Sequence, residues 1–80
     1  MPTVLREKGF RFYFYALEGN EPPHVHVDRG SGTLKLWLHD LSIESVESLK
    51  AAEVSEALKI ARTYHRLLLN SWYEFAGRKN

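Results

Sequence analysis

The chain has 80 residues, of which 44% are hydrophobic and 26% charged, and this composition excludes a disordered or fibrous protein. It predicts a single domain over residues 1–80. Eleven basic against ten acidic residues leave a formal net charge of +1, so nucleic acid would have to bind a local patch rather than the whole molecule. The absence of cysteine removes disulfides, thiolate nucleophiles and cysteine-based zinc sites. Without an apolar run typical of a signal peptide or a membrane span, we expect a soluble, cytoplasmic protein.

The first half of the chain predicts two β-hairpins. Gly9 separates two strand-like runs, residues 3–8 and 10–16, of which the second alternates cleanly, and this indicates a turn near Lys8 and Gly9. Residues 18–23 concentrate Gly, Asn and Pro and predict a loop. The second hairpin runs through residues 24–27, a turn at 29–32, and residues 33–39.

Residues 40–48 fit neither the strand nor the helix period, so a short strand and a loop followed by a helical turn both remain open. From residue 50 to 76 the apolar period becomes helical, and Gly77 stands where a C-terminal cap is expected. The predicted fold class is therefore α+β: a small antiparallel sheet of about four strands, packed on one long C-terminal helix. The apolar stripe of that helix contains Val54, Leu58, Ala61, His65, Leu68, Trp72 and Phe75.

Strand alternation divides the predicted sheet into two faces of different composition. One face is apolar and is expected to form the core under the helix: Phe10, Phe12, Phe14, Val25, Val27, Leu34, Leu36 and Leu38. The residues of the opposite parity are cations, histidines and large aromatic residues, and no acidic residue is expected among them: Arg11, Tyr13, Tyr15, His24, His26, Lys35, Trp37 and His39.

This second face allows two interpretations. An antiparallel sheet normally has one solvated face, and aromatic residues there also pair across strands. A binding surface explains the composition better, because cations bind phosphate oxygens and aromatic rings stack on unpaired bases. Protein interfaces use the same residue types. The residues predicted to bind the substrate are Arg11, Tyr13, Tyr15, Lys35, Trp37 and His39.

His24 and His26 lie on the same side of one predicted strand, roughly 6.5 to 7 Å apart at the backbone. As catalytic residues they would act as the acid and base of metal-independent RNA cleavage, with Arg11 or Lys35 stabilising the charge on phosphate. As metal ligands they would need a third ligand, and the face offers only His39. An ordinary exposed strand edge is the third interpretation. We predict no metal and no other cofactor.

His65 occupies a position on the apolar stripe of the predicted helix. A hydrogen-bonded histidine at the edge of the core explains this position most simply. If the helix end lies under the edge of the sheet, His65 contributes to a pocket instead.

The segments 9–15 and 18–27, together with His65 and Trp72, resemble a small bacterial domain-of-unknown-function family, numbered four-one-six-zero. The resemblance covers essentially the whole chain, and the Pro-Pro-His-x-His signature at residues 22–26 is its most specific motif. Members are often encoded beside a second small protein, and some look like DhiT-type toxins of type II toxin–antitoxin pairs. Where other members have Tyr-Gly after this strand, the chain has Arg29 and Gly30, so a role for that aromatic residue does not carry over.

The resemblance implies a toxin that an antitoxin protein encoded nearby neutralises. The composition of the sheet face adds RNA, the ribosome or translation as the expected target. The alternative is a non-catalytic module that binds protein or nucleic acid through the same face, and exposed sheet edges also leave a homodimer open. Whether the chain is an enzyme stays undecided by the sequence.

Overall fold

A computed structural model describes residues 3–15 and 21–78 of the chain, which form one antiparallel sheet and two helices. The five strands follow one another across the sheet in chain order. The predicted α+β class is confirmed, with five strands instead of about four. The elements are β1 (Thr3–Glu7), β2 (Phe10–Tyr13), β3 (His24–Arg29), β4 (Gly32–Trp37), β5 (Ile43–Glu47), α1 (Ala51–Thr63) and α2 (His65–Arg78).

Both predicted hairpins are present, and their turns meet at one end of the sheet. Lys8 and Gly9 have φ angles of 51° and 85°, the left-handed pair that a tight hairpin turn requires. The guanidinium of Arg29, at the turn of the second hairpin, donates from Nη1 to the carbonyl oxygen of Lys8 at 2.9 Å. Residues 18–20 of the predicted loop at 18–23 lie outside the described residues.

The apolar face forms the core as predicted. All eight of its side chains are buried, and helix residues Ala57, Ile60, Ala61, Leu68 and Trp72 join them. Burial of this continuous apolar cluster is the main favourable contribution to folding. None of the helices in the described ranges is long and apolar enough to cross a membrane.

Residues 40–48, whose conformation the sequence left open, contain strand β5. Leu41 and Ser48 flank it with φ angles of 59° and 58°, which neither residue type readily adopts. Its pairing with β4 also shifts register between Lys35 and Leu36. These interruptions break the alternation by which a strand is recognised in a sequence.

The predicted single helix is two helices that meet at Tyr64. The hydroxyl of Thr63 donates to the carbonyl of Lys59 at 3.1 Å, a contact that bends helices. The expectation that Gly77 ends the helix is wrong, since α2 continues to Arg78. The imidazole of His65, at the start of α2, donates from Nε2 to the carbonyl of Leu38 and so ties this helix to the sheet.

Candidate functional site

The polar face of the sheet is a cluster of aromatic and histidine rings. By polar face we mean those side chains of β2, β3 and β4 that have the opposite parity to the core, together with Tyr15 just beyond β2. Strand pairing sets Tyr13 opposite His26, and His26 opposite Lys35. The His26 ring stacks on Tyr13 with centroids 5.5 Å apart and meets the edge of Tyr15 at 4.5 Å. His26 is therefore the centre of the cluster, and it is half-buried.

His24 is buried, with only 3% of its surface exposed. Its Nδ1 lies 2.9 Å from the carbonyl of Pro22, and because a carbonyl only accepts, Nδ1 carries the proton. Its ring centroid is 5.1 Å from that of Trp72 on α2, so the polar face is continuous with the core at this end. The sequence predicted an exposed pair of histidines, and for His24 that expectation is wrong.

Tyr13 is also buried, and its phenol donates to Oδ1 of Asp28 at 3.0 Å. Burial first, and then the hydrogen bond to the carboxylate, raise the pKa of Tyr13 far above its usual range. Asp28 lies opposite Arg11 in the strand register. The expectation that no acidic residue belongs to this face is therefore wrong, and Asp28 is in regular register rather than off it.

The two cations of the polar face are engaged within the protein. The guanidinium of Arg11 lies 4.2 Å from the ring centroid of Tyr13 and donates from Nε to the hydroxyl of Thr3 at 2.9 Å. The ammonium of Lys35 donates to Oε1 of Glu21 at 2.7 Å, and this hydrogen bond lowers the pKa of the Glu21 carboxyl. The carboxylate of Glu21 thus balances the charge of Lys35, one of the two cations that the sequence assigned to this face.

A cavity of about 280 Å³ opens beside the polar face, where β4 ends. The turn that carries it is held by two backbone hydrogen bonds, from the N–H of Trp37 to Ser42 and from the N–H of Leu41 to Trp37. Asp40 accepts from both the backbone and the hydroxyl of Ser42, which lowers the pKa of its carboxyl. The lining consists of Pro22, Trp37, His39, Asp40 and Ser42.

The cavity contains two of the predicted substrate-binding residues, Trp37 and His39. Lys35 lies next to it, with its ammonium 5.0 Å from the Trp37 ring centroid. Arg11, Tyr13 and Tyr15 do not line this cavity. Of these three, Tyr15 is the most accessible, with 41% of its surface exposed.

His65 does not line the cavity beside Trp37, because its ring is directed to the carbonyl of Leu38. Within residues 3–15 and 21–78, no group of three His, Asp or Glu side chains comes together in a way that could hold a metal ion. His39, the third ligand that a metal site would have needed, lies exposed beyond the end of β4.

The sequence analysis missed four residues of this region: Glu21, Asp28, Asp40 and Ser42. Asp28 could have been found, because it continues the parity of His24 and His26 by one more step along β3. Asp40 and Ser42 show a short Asp-x-Ser spacing that is typical of side chain to backbone turns. Nothing in the sequence pairs Glu21 with Lys35, since they lie in different elements.

The comparisons with known proteins give a family and no function. A family model described as "Domain of unknown function (DUF4160)" matches residues 9–73. No curated protein and no solved structure matches the chain.

Proposed function

The chain belongs to the DUF4160 family of domains of unknown function, and from its polar face we propose a toxin-type protein that binds single-stranded RNA. The cavity of about 280 Å³ beside Trp37 is the observation that supports the proposal most directly. It combines a half-buried indole ring with an exposed imidazole, that of His39. An unpaired base stacks on such rings whichever of the four bases it is.

The rigid turn around the cavity favours stacking of a base ring inside the cavity over non-specific contact at the surface. Backbone hydrogen bonds hold Trp37 against Ser42, so little conformational freedom is lost when a base enters. The ionised carboxylate of Asp40 accepts hydrogen bonds, which favours a base with N–H donors on its edge. Lys35 lies near enough to the Trp37 ring to meet the attached phosphate.

RNA binding is a better-supported function than RNA cleavage catalysed by the two histidines. A general acid or base must come within hydrogen-bond reach of its substrate. His24 is buried and directed to the carbonyl of Pro22. We therefore assign His24 a structural part in holding the His26 ring and the Pro22 wall, and we assign RNA contact to Trp37, His39 and Lys35.

The test is the affinity for a labelled single-stranded RNA of about ten nucleotides, a length within the range that one small domain contacts. Trp37→Ala is expected to weaken binding roughly tenfold or more, since stacking of one base contributes about 1–3 kcal/mol. Tyr73→Ala is the matched control, because Tyr73 is an exposed aromatic residue on α2 outside the polar face. Equal affinities for these two variants would contradict the proposal.

The toxin role is tested in bacteria by induced expression without any antitoxin. Wild type is expected to arrest growth, and Trp37→Ala is expected to relieve the arrest while circular dichroism shows that it folds. RNA fragmentation that disappears in His26→Asn would instead support a ribonuclease.

A second candidate is a protein-binding module that uses the same face. The pairing of Lys35 with Glu21 favours it, because this pairing reduces the local positive charge that RNA requires. Aromatic anchors such as Trp37 and Tyr15 are typical of protein interfaces. Failure to bind RNA, together with Trp37-dependent binding of the protein encoded nearby, would favour this candidate.

A further inference from the structure

Strand β5 is an open edge of the sheet with apolar side chains at its surface. It is last in the strand order, and within the described part of the chain no segment pairs with its outer side. Ile43 and Val46 pair with core residues of β4, yet they remain 44% and 39% exposed. The apolar layer of the core thus continues past the helices onto an uncovered strand.

The charged side chains of β5 itself are acidic. Strand β5 carries Glu44 and Glu47 and no lysine or arginine, and the nearest cation in the ladder is Lys35 of β4, opposite Ser45. Nucleic acid is therefore repelled by this edge. A second copy of β5 is disfavoured as well, because an antiparallel ladder of two copies would crowd four glutamates along one short strand pair.

The opposite edge of the sheet differs from β5 in the sign of its exposed charge. Strand β1 presents Arg6 to solvent, and a basic side chain at this edge repels a basic segment. Both edge strands have a register shift, between Thr3 and Leu5 in β1 and between Ile43 and Ser45 in β5, so the shift does not distinguish them. Residues 45–47 of β5 face Lys35, Leu34 and Thr33 in regular order.

We propose that β5 is the docking edge for an extended segment of a partner protein in which β-branched and basic residues alternate. Added as a sixth strand, such a segment gains backbone hydrogen bonds along the edge. Its apolar side chains cover Ile43 and Val46, and its basic side chains, on the other side of the sheet, meet Glu47. The site is distinct from the cavity beside Trp37, whose lining contains no residue of β5.

The test uses a synthetic peptide of about nine alternating valine and lysine residues, which is long enough to span a strand of this size. We expect it to bind and to slow amide hydrogen exchange at residues 43–47, with little change at residues 3–7. A double variant, Glu44→Gln with Glu47→Gln, is expected to bind about two- to thirtyfold more weakly, since each of two cross-strand charge pairs contributes roughly 0.2–1 kcal/mol. Ile43→Thr with Val46→Thr is expected to reduce binding as well.

Three controls separate strand addition from other kinds of attraction. A peptide of alternating valine and glutamate, and one with alternate amides N-methylated, are expected not to bind. Tyr73→Ser, which removes an exposed apolar side chain from α2, is expected to bind the lysine peptide normally. Protection at residues 3–7 instead of 43–47, binding that both double variants retain, or a wild-type homodimer joined through β5 would each overturn the proposal.

Discussion

The two faces of the sheet are both packed, but by different means. On the helix side, buried aliphatic and phenylalanine side chains exclude water, and no polar partner is needed. On the polar face, the His26 ring contacts the rings of Tyr13 and His24, and the polar atoms of Tyr13 and His24 are hydrogen-bonded to Asp28 and Pro22. The second arrangement depends on particular partners, so each of its residues is less replaceable by one of similar size.

This difference separates the part of the molecule that holds the fold from the part that can meet a ligand. Tyr13 and His24 hold the polar face together from within, whereas Tyr15 and His39 lie exposed at its margin. Loss of activity in a variant of the first pair would therefore include a loss of stability. Variants of the second pair should change binding with a smaller loss of stability.

The largest expected effect is on the free energy of unfolding, and it compares one residue of the apolar face with one of the polar face. Phe12→Ala should lower the free energy of unfolding by about 3–5 kcal/mol, because Phe12 is fully buried and its loss leaves a cavity. Tyr15→Ala, on the polar face, should cost clearly less, since Tyr15 is 41% exposed. Urea denaturation of both variants measures the difference. Similar losses would mean that the polar face contributes to stability as a second core.

The next largest expected effect is the loss of stability when either His24 or His26 is replaced. His24→Ala should lower the free energy of unfolding by about 2 kcal/mol, since it removes a buried ring and leaves the Pro22 carbonyl without its donor. His26→Ala should cost less, because His26 is only half-buried. The same denaturation experiment compares them. If His24→Ala were the milder change, the assignment of His24 to the structural part of the face would be wrong.

The sequence predicted the apolar face because three strands, β2, β3 and β4, keep their alternation. Phe10 to Phe14 and Leu34 to Leu38 are buried at every second position. For the fifth strand the sequence left strand and loop open, since residues with positive φ flank it and its pairing with β4 shifts register. The break at Tyr64 was missed because the apolar period runs through it unchanged.

The sequence predicted which residues belong to the polar face, but it did not predict which of them are buried. Parity places His24 and Tyr13 on it, whereas their burial depends on contacts with Trp72 and Asp28 that come from elsewhere in the chain. Asp28 was excluded because the strand was expected to end at Val27. It ends at Arg29, so the parity of His26 extends to Asp28.

A smaller effect tests the hydrogen bond between Tyr13 and Asp28. Tyr13→Phe should lower the free energy of unfolding by about 1–3 kcal/mol near neutral pH, the range for a buried bond to a charged acceptor. Because the folded protein raises the pKa of Tyr13, its contribution is complete below the unfolded pKa of about 10 and is lost as the pH rises above it.

The stability difference between wild type and Tyr13→Phe should therefore shrink above about pH 10. Denaturation at a series of pH values follows it, and ultraviolet absorbance reports when the phenol ionises. A difference that stays constant into the alkaline range would show that Tyr13 ionises equally in the folded and unfolded protein.

The smallest expected effect concerns the charge balance of the polar face. Glu21→Gln removes the carboxylate that accepts from Lys35, so the ammonium becomes available to an RNA phosphate. RNA affinity should rise roughly two- to fivefold, the size of one exposed charge contact, and the salt dependence of binding should steepen by about one phosphate. The thermal midpoint should stay near the wild-type value, since Glu21 is exposed to solvent.

Lys35→Gln is the matched variant, because it removes the cation and leaves Glu21 in place. It should weaken RNA binding and flatten the salt dependence, opposite in both respects to Glu21→Gln. If the two variants changed affinity in the same direction, Lys35 would act by holding Glu21 and the wall of the cavity in position. Phosphate contact would then have to come from Arg11, the other cation of the polar face.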